Sequence, residues 1–162
     1  MHYVFVYGTL RSGQKYHSLV KKFVVTVKPA FVQGRLYHLR EGYPALVLAR
    51  DLPRAEADGP QPAGGDNGRT VRVAVAVTRV RGDLLGFADL KPVLPILDEL
   101  EDYYGPGDPR NLYERVTVWA AAGGGRRVRS LVYAFPSGKL GWLERHAIPI
   151  PGGDWVKWKA GR

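Results

Sequence analysis

Alternating apolar positions predict that this chain is built mainly from β-strands. Val71, Val73, Val75 and Val77 alternate strictly with other residues, which is the period of a strand that buries one face. Other runs rich in β-branched and aromatic residues predict further strands, at 3–7, 24–28, 31–39 and 45–48. The pattern is therefore that of a β-rich protein.

A hairpin and an early helix complete this pattern. Residues 116–122 and 128–135 read as two strands, and the loop between them is rich in the glycine that such turns require. Residues 14–23 carry apolar and ring-bearing side chains at rough helical spacing, which predicts a short helix. Many strands with few helices favour an α+β class, with a mainly antiparallel sheet that curls toward a barrel.

Length and composition predict one domain over residues 1–162. A chain of 162 residues can bury most of its apolar surface around a single core. Residues 51–69 are rich in proline and glycine and carry scarcely any large apolar side chain. Such a segment cannot offset the entropy of ordering by burial, so we expect a mobile surface insertion there.

A carboxylate interrupts the apolar stripe of a second predicted helix. Leu90, Leu94 and Leu97 share one face at about 100° per residue, and Glu101 falls on the same face. Burial and the C-terminal end of the helix both disfavour its charge, so we expect a raised pKa that suits proton transfer. The alternative is that Glu101 simply ends the helix, reaches water or pairs with an arginine such as Arg115.

The first predicted strand runs into the loop Tyr7-Gly8-Thr9-Leu10. Glycine at such a point permits backbone angles that other residues avoid, and successive N–H groups can converge on an anion. A plain strand-to-helix turn is the alternative for this segment.

Charge and composition exclude several classes of function. The formal net charge is +9, but the cations are spread along the chain and no nucleic-acid-binding motif accompanies them, so we expect no specific nucleic-acid partner. A pocket for an anionic small molecule explains the charge as well. The four histidines lack metal-ligand spacing. The absence of cysteine, of a long apolar run and of a leader-like start favours a cytoplasmic protein without a membrane segment.

Several short motifs occur in one order along nearly the whole chain. The motifs are Val6-Tyr7-Gly8-Thr9-Leu10-Arg11, Gly34-Arg35-Leu36-Tyr37, Tyr43-Pro44-Ala45-Leu46, Arg81-Gly82-Asp83-Leu84, Leu97-Asp98-Glu99-Leu100-Glu101-Asp102-Tyr103, Tyr113-Glu114-Arg115 and Gly153-Asp154-Trp155. Together they resemble the gamma-glutamylcyclotransferase-like family, in its short bacterial and gamma-glutamylamine cyclotransferase branch.

This resemblance implies a small β-barrel flanked by short helices, with the active cavity at its mouth. It assigns proton transfer to Glu101 and implies a small γ-glutamyl substrate that is cyclised to 5-oxoproline without a metal or organic cofactor. The substrate-binding residues that it implies are Tyr7, Gly8, Thr9, Leu10, Tyr37 and Tyr113. A non-catalytic module that binds an anionic metabolite or a protein partner is the alternative, and the oligomeric state stays open.

The chain departs from the family pattern in three places. Asp102 replaces the usual glycine after the glutamate, and Leu85 stands where a tyrosine is common. Residues 103–112 and 51–69 form longer segments than in the smallest members. We expect these changes to affect the substrate pocket more than the fold.

Overall fold

The strands of this protein form one sheet that closes into a barrel. A computed structural model describes residues 1–53 and 77–162. Its strands are β1 (His2–Val6), β2 (Val24–His38), β3 (Pro44–Leu48), β4 (Thr78–Phe87), β5 (Glu114–Ala122), β6 (Arg127–Ala134) and β7 (Ile148–Pro149). Its α-helices are α1 (Leu94–Leu100), α2 (Leu140–His146) and α3 (Trp155–Ala160).

Five strands form the barrel in the order β2-β4-β1-β6-β5, and β5 closes it by pairing with β2. The β1–β6 pair is parallel, with Val4 opposite Leu131, and the other pairs of the barrel are antiparallel. The fold is therefore the small, mainly antiparallel β-barrel with short helices that the sequence predicts. Strands β3 and β7 extend β2 outside this circuit.

Pro29 explains why β2 is one long strand and not the two that the sequence predicts. It lies opposite Asp83 of β4, whereas the pairing of β2 with β5 begins at Ala30. Proline cannot donate a ladder hydrogen bond, and this position leaves one side of β2 without a partner strand. Proline is therefore tolerated inside a continuous strand.

The other sequence predictions have mixed outcomes. Strands β1 and β3 and the β5–β6 hairpin are confirmed within one or two residues. The prediction of a helix at 14–23 is wrong, because the chain forms two 3₁₀ turns there, His17–Leu19 and Lys21–Phe23. An i, i+3 spacing of buried side chains fits three residues per turn as well as it fits an α-helix.

Two predictions fall on residues that the structure does not describe. The alternating valines lie outside the described residues except Val77, which directly precedes β4. The insertion predicted at 51–69 also lies outside them, apart from its first three residues. Among the described helices, none has the length and apolarity needed to cross a membrane.

Candidate active site

One end of the barrel opens into a small cavity of about 120 Å³. Strands β1 and β6 run in parallel and end there, and β5 begins there because it is antiparallel to β6. The loop after β1 and the end of α1 complete the wall. The lining residues are Phe5, Val6, Tyr7, Gly8, Thr9, Leu10, Tyr16, Tyr43, Pro44, Leu100, Glu101, Asp102, Leu112, Tyr113 and Tyr133.

Helix α1 delivers Glu101 to this cavity. Val93 and Leu97 are fully buried and fix the helix against the core, and the Glu101 N–H donates to the Leu97 carbonyl at 2.9 Å. Glu101 is the C-terminal cap residue of α1, directly after its last helical residue, Leu100. It therefore lies at the end of the helix whose leucine face predicted its position. Burial, with an added contribution from the neighbouring Asp102 carboxylate, raises the pKa of its carboxyl to about 8. The carboxyl therefore titrates near neutrality.

Arg115 does not neutralise Glu101, because it pairs with Asp98. One Arg115 guanidinium nitrogen (Nη1) lies 2.6 Å from each Asp98 carboxylate oxygen, and the Tyr133 hydroxyl donates to the same carboxylate at 2.6 Å. The guanidinium also stacks over the Tyr103 ring, 4.9 Å from its centroid. The pairing of Glu101 with Arg115 considered from sequence is therefore wrong. In the described part of the chain, the Glu101 carboxylate has no cationic partner.

The loop after β1 presents three N–H groups next to this carboxyl. The N–H groups of Gly8, Thr9 and Leu10 donate to no acceptor within the described residues. The loop is fixed instead through its carbonyls, since the Tyr16 N–H donates to Thr9 at 2.8 Å and the buried His17 imidazole contacts the Leu10 carbonyl at 2.9 Å. The loop is therefore ordered while its donors stay available for an anion.

Arg11 ties the same loop to two acidic residues of other elements. Its guanidinium lies 3.2 Å from Asp154, which caps α3, and 3.7 Å from Asp83 of β4. The Ser12 N–H donates to Asp83 at 2.9 Å. The motifs that contain Asp83 and Asp154 are distant in sequence from the loop, and both hold it through contacts outside the cavity lining.

Two phenol groups stand beside Glu101 in the cavity wall. The Tyr7 hydroxyl donates to the Tyr133 carbonyl and the Tyr113 hydroxyl donates to the Pro44 carbonyl, each at 2.7 Å. Burial raises the pKa of Tyr7 well above its usual value, and the Glu101 charge adds to the effect. Burial likewise raises the pKa of Tyr113, with added contributions from Tyr7 and Glu101. Both phenols stay neutral, and their protons are already committed to carbonyl groups.

A comparison with known proteins identifies the family. The sequence matches the family described as gamma-glutamyl cyclotransferase, AIG2-like, over residues 4–59 and 67–157. The chain belongs to this AIG2-like family.

Individual relatives agree with this membership. A curated relative, gamma-L-glutamyl-butirosin B gamma-glutamyl cyclotransferase of Niallia circulans, is 30% identical over 122 residues. The match covers 75% of this chain and 60% of the relative, so the chain matches less than two thirds of that protein's length.

Solved structures show the same fold. An AIG2-like protein from Mus musculus superposes with a TM-score of 0.55 at 20% identity, over 88% of this chain and 82% of that chain. An uncharacterized protein from Pyrococcus horikoshii superposes with a TM-score of 0.54 at 13% identity, over 99% of this chain and 95% of that chain.

Asp102, which stands where the resemblance to the family predicts a glycine, occupies a left-handed backbone position. Its φ is +49°, in a region that glycine visits freely and that aspartate tolerates better than most residues. The replacement therefore preserves the turn after Glu101. It also adds a charge to the cavity wall.

Gly8 of the AIG2-like loop is required for space and not for its backbone angle. Its φ lies outside the left-handed region, contrary to the expectation from sequence. A Cβ placed there would lie 2.5 Å from Pro44 Cγ and 3.0 Å from Pro44 Cδ. Pro44 is buried and its carbonyl accepts the Tyr113 hydroxyl, so it has little freedom to move.

We expect Gly8→Ala to destabilise the protein by about 1–3 kcal/mol, the usual cost of overpacking, and to shift the loop N–H groups. Urea unfolding measures the first effect. Gly138→Ala is the matched control, because Gly138 is exposed and a Cβ there meets nothing within 4 Å. Wild-type stability in Gly8→Ala would show that the proline ring yields.

Six of the seven residues assigned from sequence meet at the cavity, and Tyr37 does not. Tyr7, Gly8, Thr9 and Leu10 line it with Glu101 and Tyr113, whereas Tyr37 is buried elsewhere on β2, with a hydroxyl that has no partner in the described residues. The structure therefore gives Tyr37 no contact with this site.

The cavity residues that were not assigned from sequence include Tyr16, Tyr43, Pro44 and Tyr133. Two of these, Tyr43 and Pro44, belong to the motif Tyr43-Pro44-Ala45-Leu46, so the sequence did contain a signal for them. No comparable signal marks the other two, because nearness to the cavity depends on barrel closure. Across residues 1–53 and 77–162, no three His, Asp or Glu side chains converge as metal ligands.

Proposed function

We propose that this protein is a γ-glutamyl cyclotransferase that converts a γ-glutamyl amine or γ-glutamyl amino acid to 5-oxoproline and releases the amine. The observation that carries the proposal is the Glu101 carboxyl, with a pKa raised to about 8, beside the free N–H groups of Gly8, Thr9 and Leu10. A proton-transfer group next to oxyanion donors suits acyl transfer. The Niallia circulans relative is named as a gamma-glutamyl cyclotransferase, which supports the same reaction.

Glu101 is the general acid and base in this proposal. Its carboxylate takes a proton from the substrate α-ammonium, and the neutral amine then attacks the γ-carbonyl carbon. The new C–N bond closes the five-membered ring and gives a tetrahedral oxyanion. Glu101 gives this proton to the leaving nitrogen and takes the second ammonium proton, which the ring nitrogen still carries. The old C–N bond breaks, and the amine leaves with that second proton as an ammonium ion, which regenerates the Glu101 carboxylate.

The loop supplies the binding and electrostatic part of the reaction. The N–H groups of Gly8, Thr9 and Leu10 hold the α-carboxylate or the developing oxyanion. Nucleophile and carbonyl belong to one molecule, so fixing the chain conformation of the substrate supplies much of the rate enhancement. The proposed steps therefore assign no part to a metal or an organic cofactor.

The test is an assay of 5-oxoproline formation with the purified protein. γ-Glutamyl amines, γ-glutamyl amino acids and the γ-glutamyl-ε-lysine isopeptide are offered in parallel, and product is measured by chromatography. We expect 5-oxoproline and the free amine in equal amounts from at least one class. Binding of these compounds without product would contradict the proposal and favour a non-catalytic binding module.

A further inference from the structure

Among the residues that the structure describes, the cavity wall has no cationic side chain, although the whole chain is strongly basic. Glu101 and Asp102 are its only charged residues, and the described lining includes no Lys, Arg or His. The formal net charge of the protein is +9. The cavity therefore differs in sign from the molecule around it.

Arg11 and Arg115 lie within two residues of the cavity lining in sequence, but each is paired with carboxylates. Asp98 forms a salt bridge with the Arg115 guanidinium, so the charge of Arg115 is neutralised by Asp98. Arg11 lies outside the lining and is held by Asp83 and Asp154.

Two other charges lie near the rim of the cavity. Lys15 is exposed, and its ammonium lies 4.9 Å from the centroid of the Tyr16 ring without lining the cavity. Glu41 is exposed and close enough to Tyr113 for its charge to raise the pKa of that phenol. The rim therefore carries charges of both signs, while the ionic side chains in the described part of the wall are the carboxyl groups of Glu101 and Asp102.

The size of the cavity decides which part of a substrate meets Asp102. At about 120 Å³ it is smaller than the roughly 300–1,000 Å³ of sites that enclose drug-sized ligands, so it holds the glutamyl head alone. The scissile nitrogen must reach Glu101 to receive its proton. The rest of the leaving group then extends toward the exposed part of the wall.

The exposed part of the wall suits an ammonium group. Asp102 follows Glu101 in the chain and is exposed, and the Tyr43 ring is 38% exposed at the same cavity. A carboxylate attracts an ammonium by charge, and the face of an aromatic ring attracts it through its quadrupole. An additional carboxylate on the leaving group would meet repulsion from Asp102 and gain no cation in the wall.

Resting on the cyclotransferase function proposed above, we propose that the leaving group carries a positive charge beyond its scissile nitrogen, as in a mono-γ-glutamylated diamine or polyamine. Asp102 selects this class by its charge. Glycine, which the family resemblance leads us to expect at this position, has no side chain, so the proposed selection depends on Asp102.

The test compares three γ-glutamyl amides whose four-atom leaving chains differ only at the far end, which is an ammonium, a methyl or a carboxylate group. We expect kcat/KM to favour the ammonium over the methyl compound by about two- to fivefold, the range of one exposed ion pair. The carboxylate compound should fall below both. The preference should lie mainly in KM, since the contact exists before and during the reaction.

Asp102→Asn should remove most of this preference, because asparagine keeps the shape and tolerates the left-handed backbone but carries no charge. Ratios between substrates within one variant cancel any common change in rate. Glu99→Gln removes a charge from an exposed position on α1 outside the cavity, so it should keep the wild-type ratios.

The outcomes separate the two proposals. Turnover of all three amides with no preference, or with a preference for the methyl or carboxylate compound, would overturn the selection and leave the cyclotransferase function standing. A preference that survives in Asp102→Asn would overturn the role of that residue. Absence of 5-oxoproline from all three would overturn the cyclotransferase function, and the selection with it.

Discussion

Replacing Glu101 by glutamine is expected to lower kcat/KM for 5-oxoproline formation by about 10²- to 10⁴-fold, the usual contribution of a general acid–base group. Glutamine keeps the size of the side chain but cannot carry the proton from the α-ammonium to the leaving nitrogen. The measurement is steady-state product formation on the best γ-glutamyl substrate. The wild type should also show a rise of kcat/KM with pH near the Glu101 pKa of about 8, and the variant should lack it.

Glu99→Gln is the matched control, because Glu99 is exposed on the same helix and does not line the cavity. The expected result for this control is wild-type activity. Full activity of Glu101→Gln, with folding verified by circular dichroism, would contradict the assigned role and leave catalysis to the loop donors alone.

The second large effect of Glu101→Gln is on stability. We expect the variant to gain stability, whereas it loses activity. Glu101→Gln is expected to unfold at a higher temperature than the wild type above pH 8, with a difference that shrinks toward pH 4.5. The folded-state pKa is about 8 and the ordinary value is 4.5, so the native state binds this proton more tightly than the unfolded chain does. The wild type therefore loses stability as pH rises through that window, and glutamine does not.

The difference should reach about 2–4 kcal/mol, since each unit of pKa shift corresponds to about 1.4 kcal/mol. Thermal or urea unfolding at pH 5, 7 and 9 measures it. Glu99→Gln removes the same charge elsewhere on the helix, so a stabilisation common to both variants would arise from net charge instead of burial. A stability advantage of Glu101→Gln over the wild type that is no larger at pH 9 than at pH 5 would contradict the raised pKa.

Features set by local sequence were predictable, and features set by barrel closure were not. The hairpin of β5 and β6 follows from its glycine-rich turn, and the place of Glu101 follows from the stripe of leucines on α1. In contrast, the role of Asp98 as partner of Arg115 depends on α1 packing against β5, which no spacing in the sequence reveals. The result is that sequence suggested a plausible but wrong partner for Arg115.

The glycine of the substrate loop shows the same limit. A conformational reason for Gly8 was available from sequence, but the reason that applies is the proximity of Pro44, which is more than thirty residues away in the chain. Helices α2 and α3 were not predicted, since each is short and carries too few turns for a clear apolar period.

The single parallel pair of the barrel, β1 with β6, has a consequence for how the protein folds. Its strands come from opposite ends of the chain, so the pair can form only after a large loop has closed. The cavity contains residues of β1 and β6, and Glu101 lies between them in sequence. Folding should therefore be slow for a domain of this size, as is general when pairing is non-local. We expect the cavity to be complete only after β1 has paired with β6, so an intermediate that lacks this pair should not bind substrate.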